Sequence, residues 1–155
     1  MYCAPFIRQI DIIEVNFNLL DMRLLDKEVQ DIIRENDIEV VARTPFAFGF
    51  LTEEVDENYS FHESDHRKRW SSEQIHSWVS GRKDLKKIFE KYGFFQPIQI
   101  LALGFCMSFD FVNHVIPGMM TREEVDQNLS VYKTDLFSKE LLSELIQYGE
   151  KFKLL

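Results

Sequence analysis

The stretch IDIIEVNFNLLDMRLLDKEVQDIIRENDIEVVA, residues 10–42, places two short β-branched segments on either side of a helical pattern. Residues 10–17 are mostly apolar and predict a buried strand, and residues 38–42 predict a second strand. Between them, residues 24–35 carry apolar side chains at helical spacing, with Asp21 as the predicted N-cap. A strand, a helix and a strand within this length predict a βαβ unit with parallel strands and a right-handed crossover.

Outward from this unit, the chain continues to alternate helices with apolar segments. The predicted elements are, in order, a long loop over residues 43–70, a helix over 72–92 broken near Ser80 and Gly81, a buried helix over 98–109 with Pro97 in its first turn, a strand over 111–116, a helix over 122–129, and an amphipathic last helix capped by Ser138. A loop as long as the first is usually functional or disordered.

Alternating strands and helices predict an α/β fold, either part of a (β/α) barrel or an open doubly wound sheet. A barrel of this kind needs eight strands, and the patterns here predict only three. Three parallel strands have two bare edges and an incompletely covered face. The sequence therefore predicts one domain over residues 1–155 that is part of a larger barrel or one half of an assembly.

Composition limits the function. The 155 residues are 45% hydrophobic and include 14 Phe, enough for a real core. The net charge of -8 argues against binding to nucleic acid or an anionic membrane, since both need clustered Lys and Arg. The two cysteines, Cys3 and Cys106, are too far apart in sequence to suggest a disulfide framework, which favours a reducing cytoplasm. No stretch approaches the roughly 20 apolar residues of a transmembrane helix.

Several stretches together resemble one family. They are IDIIEVNFNLLD at residues 10–21, IEVVARTPFAFGFLTEE at 38–54, DHRKRW at 65–70, PIQILALGFCMSFDFVNHVIPG at 97–118 and TREEVDQN at 121–128. In this order they resemble the C-terminal half of the aldo-keto reductases, NAD(P)H-dependent oxidoreductases with a (β/α)8 TIM barrel. The first stretch is similar to the family's sixth strand, and the second to its seventh strand and the following loop.

The resemblance implies a cofactor-binding half without an acid-base half. In the family, the catalytic Asp, Tyr, Lys and His lie on the first four strands, and no part of this chain corresponds to them. The chain is therefore expected to lack carbonyl reductase activity alone and to use NAD(P)H only if the missing half is supplied. An N-terminal half-barrel chain or self-association is the implied partner. The alternative is a non-catalytic remnant that binds a nucleotide or a partner through its uncovered barrel face.

The resemblance also implies a set of cofactor-binding residues. The loop after the second strand would wrap the pyrophosphate, with Thr44 and backbone N–H groups as donors and Arg43 stacked on the nicotinamide ring. Glu14 would accept from the carboxamide, although strand alternation allows it instead to face solvent. The full set is Glu14, Arg43, Thr44, Pro45, Phe46, Gly49, Gly118, Met119, Met120, Thr121, Glu124 and Asn128.

The last six of these residues would surround the adenosine. From the residues alone, the Pro117-Gly118 turn is an ordinary strand-to-helix connection. The resemblance makes it the end of a cofactor site that uses the N-terminus of the following helix, with Asn128 on the adenine edge. Many members carry Lys, Ser and Arg where this chain has Gly118, Met119 and Glu124. Any cofactor binding is therefore expected to disfavour the 2′-phosphate of NADP.

A zinc peptidase pattern remains as a distant alternative. HESDH at residues 62–66 fits the H-E-x-x-H motif, in which two His on one helix face bind zinc and the Glu activates water. The surrounding sequence offers almost no apolar face to pack such a helix, and no third ligand is obvious. A chance match is favoured, so no metal site and no catalytic residue are predicted.

Overall fold

The computed structural model describes residues 4–56 and 58–152, and Cys3 lies outside them. The strands are β1 (Ile12–Asn16), β2 (Glu39–Arg43) and β3 (His114–Ile116), and they form one parallel sheet in the order β1-β2-β3. The α-helices are α1 (Lys27–Glu35), α2 (Ser72–Lys91), α3 (Ile98–Met107), α4 (Arg122–Leu129) and α5 (Lys139–Gly149). The predicted α/β class, the order of elements and the parallel pairing are confirmed.

The strand register separates the sheet into two different faces. On one face Val40 and Ala42 are fully buried. The opposite face, called here the open sheet face, carries alternate residues paired across the strands: Ile12, Glu14, Asn16, Glu39, Val41, Arg43, His114 and Ile116. Most of these side chains are exposed, with Ile12 at 56% and Ile116 at 49%. Apolar and charged side chains thus lie uncovered beside each other on this face of the sheet.

Packing on the covered face is dominated by Phe side chains and by α3. Phe17 lies at the end of β1, with its ring centroid 5.5 Å from that of Phe105 and 5.3 Å from that of Phe109. The predicted apolar helix is confirmed as buried, although it ends at Met107 instead of residue 109. Its first residue follows Pro97, which is the N-cap and therefore needs no backbone N–H inside the helix.

The predicted break near Ser80 and Gly81 is wrong, because α2 is continuous. Gly81 is there for packing: a Cβ at this position would lie 2.6 Å from Cζ of Phe152. The ring of Phe152 occupies the space that a larger side chain at position 81 would need. A glycine in a helical pattern is thus explained by a close neighbour and not by a turn.

The predicted N-cap of the first helix is also wrong. Asp26 caps α1 by accepting from the backbone N–H of Glu28 at 2.9 Å. The first part of the predicted helix is a separate 3-10 turn, Arg23–Leu25. Asp21 is instead buried, and its Oδ1 accepts from Nε of Arg23 at 2.8 Å.

The third strand is shorter than predicted and begins at His114. The preceding residue Asn113 joins the sheet through its side chain, since its Oδ1 accepts from the backbone N–H of Val40 at 2.8 Å. Phe111, predicted as strand, packs its ring 5.4 Å from that of Phe109. Among the described residues, no helix combines the length and the apolar character needed to cross a membrane.

Candidate functional site

A cleft of about 930 Å³ lies beyond the carboxyl ends of β2 and β3. Two loops form most of its walls, the one that follows Arg43 and the one that follows Ile116. Every predicted cofactor residue except Thr121 lines this cleft: Glu14, Arg43, Thr44, Pro45, Phe46, Gly49, Gly118, Met119, Met120, Glu124 and Asn128. Residues separated by more than 100 positions in the sequence are thus brought together.

The loop after β2 has an unusual backbone. Thr44, Ala47 and Phe48 adopt left-handed conformations with φ of 54°, 47° and 60°, and Gly49 follows with φ of 94°. Each such non-glycine residue costs about 1–3 kcal/mol and is found preferentially at ligand-binding sites. Tight turns hold the loop, including a bond from the N–H of Gly49 to the carbonyl of Phe46 at 2.9 Å. Backbone N–H groups in such a loop can form a concave site for an anion.

Thr44 is held by hydrogen bonds to one residue of β1 and to one residue just after that strand. Its hydroxyl donates to Oδ1 of Asn16 at 3.1 Å, and its carbonyl accepts from Nδ2 of Asn18 at 2.9 Å. Asn18 is 1% exposed, and its role was not predicted from the sequence. Since the hydroxyl proton of Thr44 already has an acceptor, this hydroxyl can donate to a ligand only by giving up Asn16.

Arg67 also lines the cleft and was not among the predicted site residues. Asp65 holds it in a bidentate ion pair, with Nη2 2.7 Å from Oδ2 and Nε 3.0 Å from Oδ1. Nη1 donates to the carbonyl of Phe48 at 3.2 Å, and the guanidinium carbon lies 4.7 Å from the centre of the Phe61 ring. The DHRKRW stretch therefore rests directly against the strained loop.

A further wall of the cleft contains Thr52, Glu53 and Glu54, which were also not predicted. Helix α2 fixes this segment. Nη1 of Arg82 donates to the carbonyls of Thr52 and Val55, the latter at 2.7 Å. Nζ of Lys86 donates to Oε1 of Glu53 at 2.8 Å, and this bond lowers the pKa of the Glu53 carboxyl group.

On the opposite wall, the N-terminus of α4 is capped by its own side chains. Thr121 is the N-cap, and its Oγ1 accepts from the N–H of Glu124 at 3.2 Å. The carboxylate of Glu124 accepts from the backbone N–H groups of Met120 and Thr121, the latter at 3.1 Å. Three backbone N–H groups around this helix end are therefore already engaged, those of Met120 and Thr121 by a carboxylate and that of Glu124 by a hydroxyl.

Asn128 lies near the C-terminal end of α4 and contacts the turn that follows β3. It is 8% exposed, and its Nδ2 donates to the carbonyl of Gly118 at a long 3.4 Å. This contact ties the turn after β3 to the helix. The side-chain oxygen of Asn128 has no partner among the residues that the structure describes, so it retains an acceptor for a ligand.

Glu14 and Arg43 lie on adjacent strands of the open sheet face. Both are exposed, and both line the cleft. Strand alternation does turn Glu14 away from the core, as one of the two predictions stated. The same orientation brings it to the cleft, so the two predictions for Glu14 are compatible.

The HESDH segment does not form the helix that the zinc motif requires. Residues 62–65 are a turn, and a 3-10 helix begins at His66. Nδ1 of His62 lies 2.8 Å from Oγ of Ser64. Over residues 4–56 and 58–152, no group of three or more His, Cys, Asp or Glu side chains is placed to hold a metal ion.

Comparison with known proteins identifies the family. The sequence model of the Aldo/keto reductase family matches residues 4–148. The chain belongs to the aldo/keto reductase family. No curated protein matches this aldo/keto reductase chain in a sequence search.

Solved structures of the family share the fold with this aldo/keto reductase chain. The glycerol dehydrogenase AKR11B4 from Gluconobacter oxydans superposes with a TM-score of 0.76 at 15% identity, covering 90% of this chain and 42% of that one. The aldo-keto reductase AKR11C1 from Bacillus halodurans, in its holo form, gives a TM-score of 0.65 at 20% identity, covering 95% and 46%. The chain therefore spans less than half the length of either relative.

The position of the cleft agrees with this fold. Enzymes with a (β/α)8 barrel carry their active sites in the loops that follow the carboxyl ends of the strands. In this aldo/keto reductase chain, the loops after β2 and β3 occupy that end of the sheet and form the cleft.

Proposed function

We propose that the chain is the C-terminal, cofactor-binding part of an NAD(P)H-dependent aldo-keto reductase barrel. The observation that carries this proposal is the single cleft that gathers the residues matched to the family's cofactor site, from Glu14 on β1 to Asn128 on α4. Its volume of about 930 Å³ lies within the range of small-molecule pockets. β1, β2 and β3 would then be the sixth, seventh and eighth strands of the barrel.

The residues present fit a dinucleotide along the length of the cleft. The left-handed backbone of residues 44–49 would surround the pyrophosphate with N–H donors. The guanidinium of Arg43 would stack on the nicotinamide ring, and Glu14 would accept from its carboxamide. The free side-chain oxygen of Asn128 would accept from the adenine amino group.

The cofactor, when bound, supplies hydride for carbonyl reduction, and a separate group must supply the proton. In the family this group is a Tyr of the N-terminal half-barrel. The open sheet face, with exposed Ile12 and Ile116 beside charged groups, is the surface on which such a half-barrel would dock. We infer that turnover requires that half and that this chain alone is inactive.

A second candidate is a nucleotide-binding protein without reductase activity. Two contacts distinguish this cleft from the cofactor site that the resemblance implies, because both occupy groups that the family's cofactor would use. The carboxylate of Glu124 covers the N-terminus of α4, and the hydroxyl of Thr44 donates to Asn16. In this case the cleft would bind a nucleotide, and no half-barrel would restore turnover.

Calorimetric titration of the purified chain with NADH and with ADP-ribose tests the proposal. We expect binding of both, and weaker NADH binding in Arg43→Ala. The matched control is Arg34→Ala, since Arg34 lies on α1 and pairs with Asp31 outside the cleft. A folded chain that binds neither ligand would disprove the proposal.

A second measurement separates the two candidates. The chain is mixed with a separately expressed N-terminal half-barrel of a family member, and NADH oxidation is followed with a simple aldehyde. Turnover by the mixture, and by neither part alone, supports a reductase. Nucleotide binding without turnover by the mixture supports the non-catalytic candidate.

A further inference from the structure

We propose that the side-chain amide of Gln99 binds the base of the nucleotide in the cleft and selects adenine over bases that lack its amino group. This inference rests on the proposed function and deepens it, because it names a group that sets the choice of base. The family resemblance implied no role for Gln99, which reaches the cleft wall from α3 and not from a loop after a strand.

Gln99 is an isolated polar residue in a buried helix. Helix α3 has the sequence IQILALGFCM, in which Gln99 is the only residue whose side chain carries an amide, a hydroxyl or a charge. Its neighbours Ile98 and Ile100 are 0% and 2% exposed. A polar group in such surroundings lowers stability unless it has a hydrogen-bond partner. Packing alone therefore does not account for an amide at this position.

The amide of Gln99 is not satisfied within the chain. Its Oε1 is buried without a partner, and its Nε2 makes no hydrogen bond to residues 4–56 or 58–152. Gln99 nevertheless lines the cleft. The last torsion of a Gln side chain is broad, so the amide can turn either its oxygen or its NH2 group toward a ligand. Buried polar groups are nearly always paired, and an unpaired amide in a cleft wall indicates a ligand contact.

The packing of α3 brings Gln99 to the end of the cleft that contains Asn128. The helix contacts α4 and the 3-10 turn Ser130–Lys133 that follows it. Ile100, next to Gln99, packs in one apolar cluster with Val131, which lies three positions after Asn128. Both amides line the same cleft. This is the end at which the adenosine is proposed to bind.

Adenine offers the groups that two unpaired amides need. Its exocyclic amino group has two N–H donors, and the oxygen of Asn128 is proposed to accept one of them. The oxygen of Gln99 can accept the other, and the NH2 group of the same amide can donate to a ring nitrogen of the base. Such a two-point contact between Gln and adenine favours this base by about tenfold or more. Hypoxanthine has an oxygen in place of the amino group and would give neither amide oxygen a donor.

The test compares NADH with deamino-NADH, in which hypoxanthine replaces adenine and the rest of the molecule is the same. Both are titrated by calorimetry into the wild-type chain, Gln99→Met and Gln96→Met. Met has nearly the length of Gln but no amide. Gln96 is the matched control, because its Oε1 is also buried without a partner among the described residues, whereas Gln96 does not line the cleft. Circular dichroism confirms that each variant is folded.

We expect the wild-type chain to bind NADH about tenfold or more tightly than deamino-NADH. Gln99→Met should weaken NADH binding by about tenfold and leave deamino-NADH binding within about twofold. Gln96→Met should bind both ligands like the wild type. Both variants replace an unpaired buried oxygen with apolar atoms, so both should fold.

Two kinds of result would overturn the inference alone. One is equal affinity of the wild-type chain for NADH and deamino-NADH, a measurement that needs no variant. The other is an unchanged preference for NADH in Gln99→Met, or an equal loss for both ligands, since Gln99 would then not contact the base. A wild-type chain that binds neither ligand would instead overturn the proposed function, and this inference with it.

Discussion

Asp65 and Arg67 form a bidentate ion pair in which Nη2 lies 2.7 Å from Oδ2 and Nε lies 3.0 Å from Oδ1. The hydrogen bonds from Arg67 hold the pKa of Asp65 at about 2, below its ordinary value near 3.9. A carboxyl group with a lower pKa in the folded state stabilises the fold above its unfolded pKa. That stabilisation is lost as pH falls from about 4 toward 2.

Asp65→Asn should therefore destabilise the chain at pH 6 and much less at pH 2.5. The Asn side chain still offers an oxygen to the backbone N–H of Arg67, so the change removes mainly charge. Urea unfolding of both proteins at several pH values measures the difference in unfolding free energy. A difference that stays constant from pH 6 to 2.5 would show that the ion pair does not contribute.

Glu124 should reduce the affinity of the cleft for NADPH. Its carboxylate already accepts from the N–H groups of Met120 and Thr121, and it would repel a 2′-phosphate nearby. We expect Glu124→Gln to raise the affinity for NADPH relative to NADH by about fivefold, since repulsion at such distances is on the order of 1 kcal/mol. Gln keeps the capping bonds.

The control for this change is Glu123→Gln, an exposed residue of the same helix that does not line the cleft. It should leave the ratio of affinities unchanged. Titration of both variants with NADH and NADPH measures the ratio. Much tighter binding of NADPH than of NADH by the wild-type chain would contradict the prediction.

Gly49→Ala should destabilise the protein, because Gly49 has φ of 94° and an added Cβ would lie 3.2 Å from Nη1 of Arg67. The expected loss is about 1–3 kcal/mol, which lowers the melting temperature by several degrees. Gly118→Ala is the matched control, since a Cβ there meets nothing within 4 Å. Equal melting temperatures for the two variants would show that the loop is not under strain.

Phe105→Ala should be among the most damaging core substitutions. Phe105 is fully buried, and its ring lies 5.5 Å from that of Phe17 and 5.1 Å from that of Phe109. Removing such a ring costs about 3–5 kcal/mol. Phe95→Ala removes the same atoms from a side chain that is 75% exposed, and should cost less than about 0.5 kcal/mol. Denaturant unfolding compares the two.

The isolated chain should self-associate or be only marginally stable, because β1 and the open sheet face carry uncovered apolar groups such as Ile12. Ile12→Lys should reduce association, since a charge on an edge strand opposes pairing with another chain. Leu136→Lys, at a side chain 95% exposed outside the sheet, should not. Sedimentation velocity measures the effect, and a compact, stable wild-type monomer would refute the prediction.

Patterns of local residues were sufficient to predict the order of the elements. Helix α4 begins and ends at the predicted residues, 122 and 129. The parallel sheet followed from the βαβ spacing. In contrast, the N-cap of α1 was misplaced at Asp21, because an acidic residue before a helical pattern suits both a cap and a buried ion pair. Only the position of Arg23 in space distinguishes the two roles.

Residues of the site that follow strands were predictable through the family resemblance, whereas those held by distant contacts were not. Asn18 and Arg82 act on the backbone of residues 26 to 30 positions away. Arg67 reaches Phe48 across 19 positions. No periodicity or spacing encodes such contacts, since each depends on how two loops meet. A signal was nevertheless present for Arg67, because the DHRKRW stretch carried part of the resemblance.

The strand count restricts the stoichiometry of any complete barrel. Two copies of a three-stranded sheet fall short of the eight strands that close a (β/α)8 barrel. A homodimer of this sheet would therefore stay open along a seam, however well its faces matched. Closure of the proposed barrel in register requires five further strands beside β1, β2 and β3, whether or not they belong to the same polypeptide.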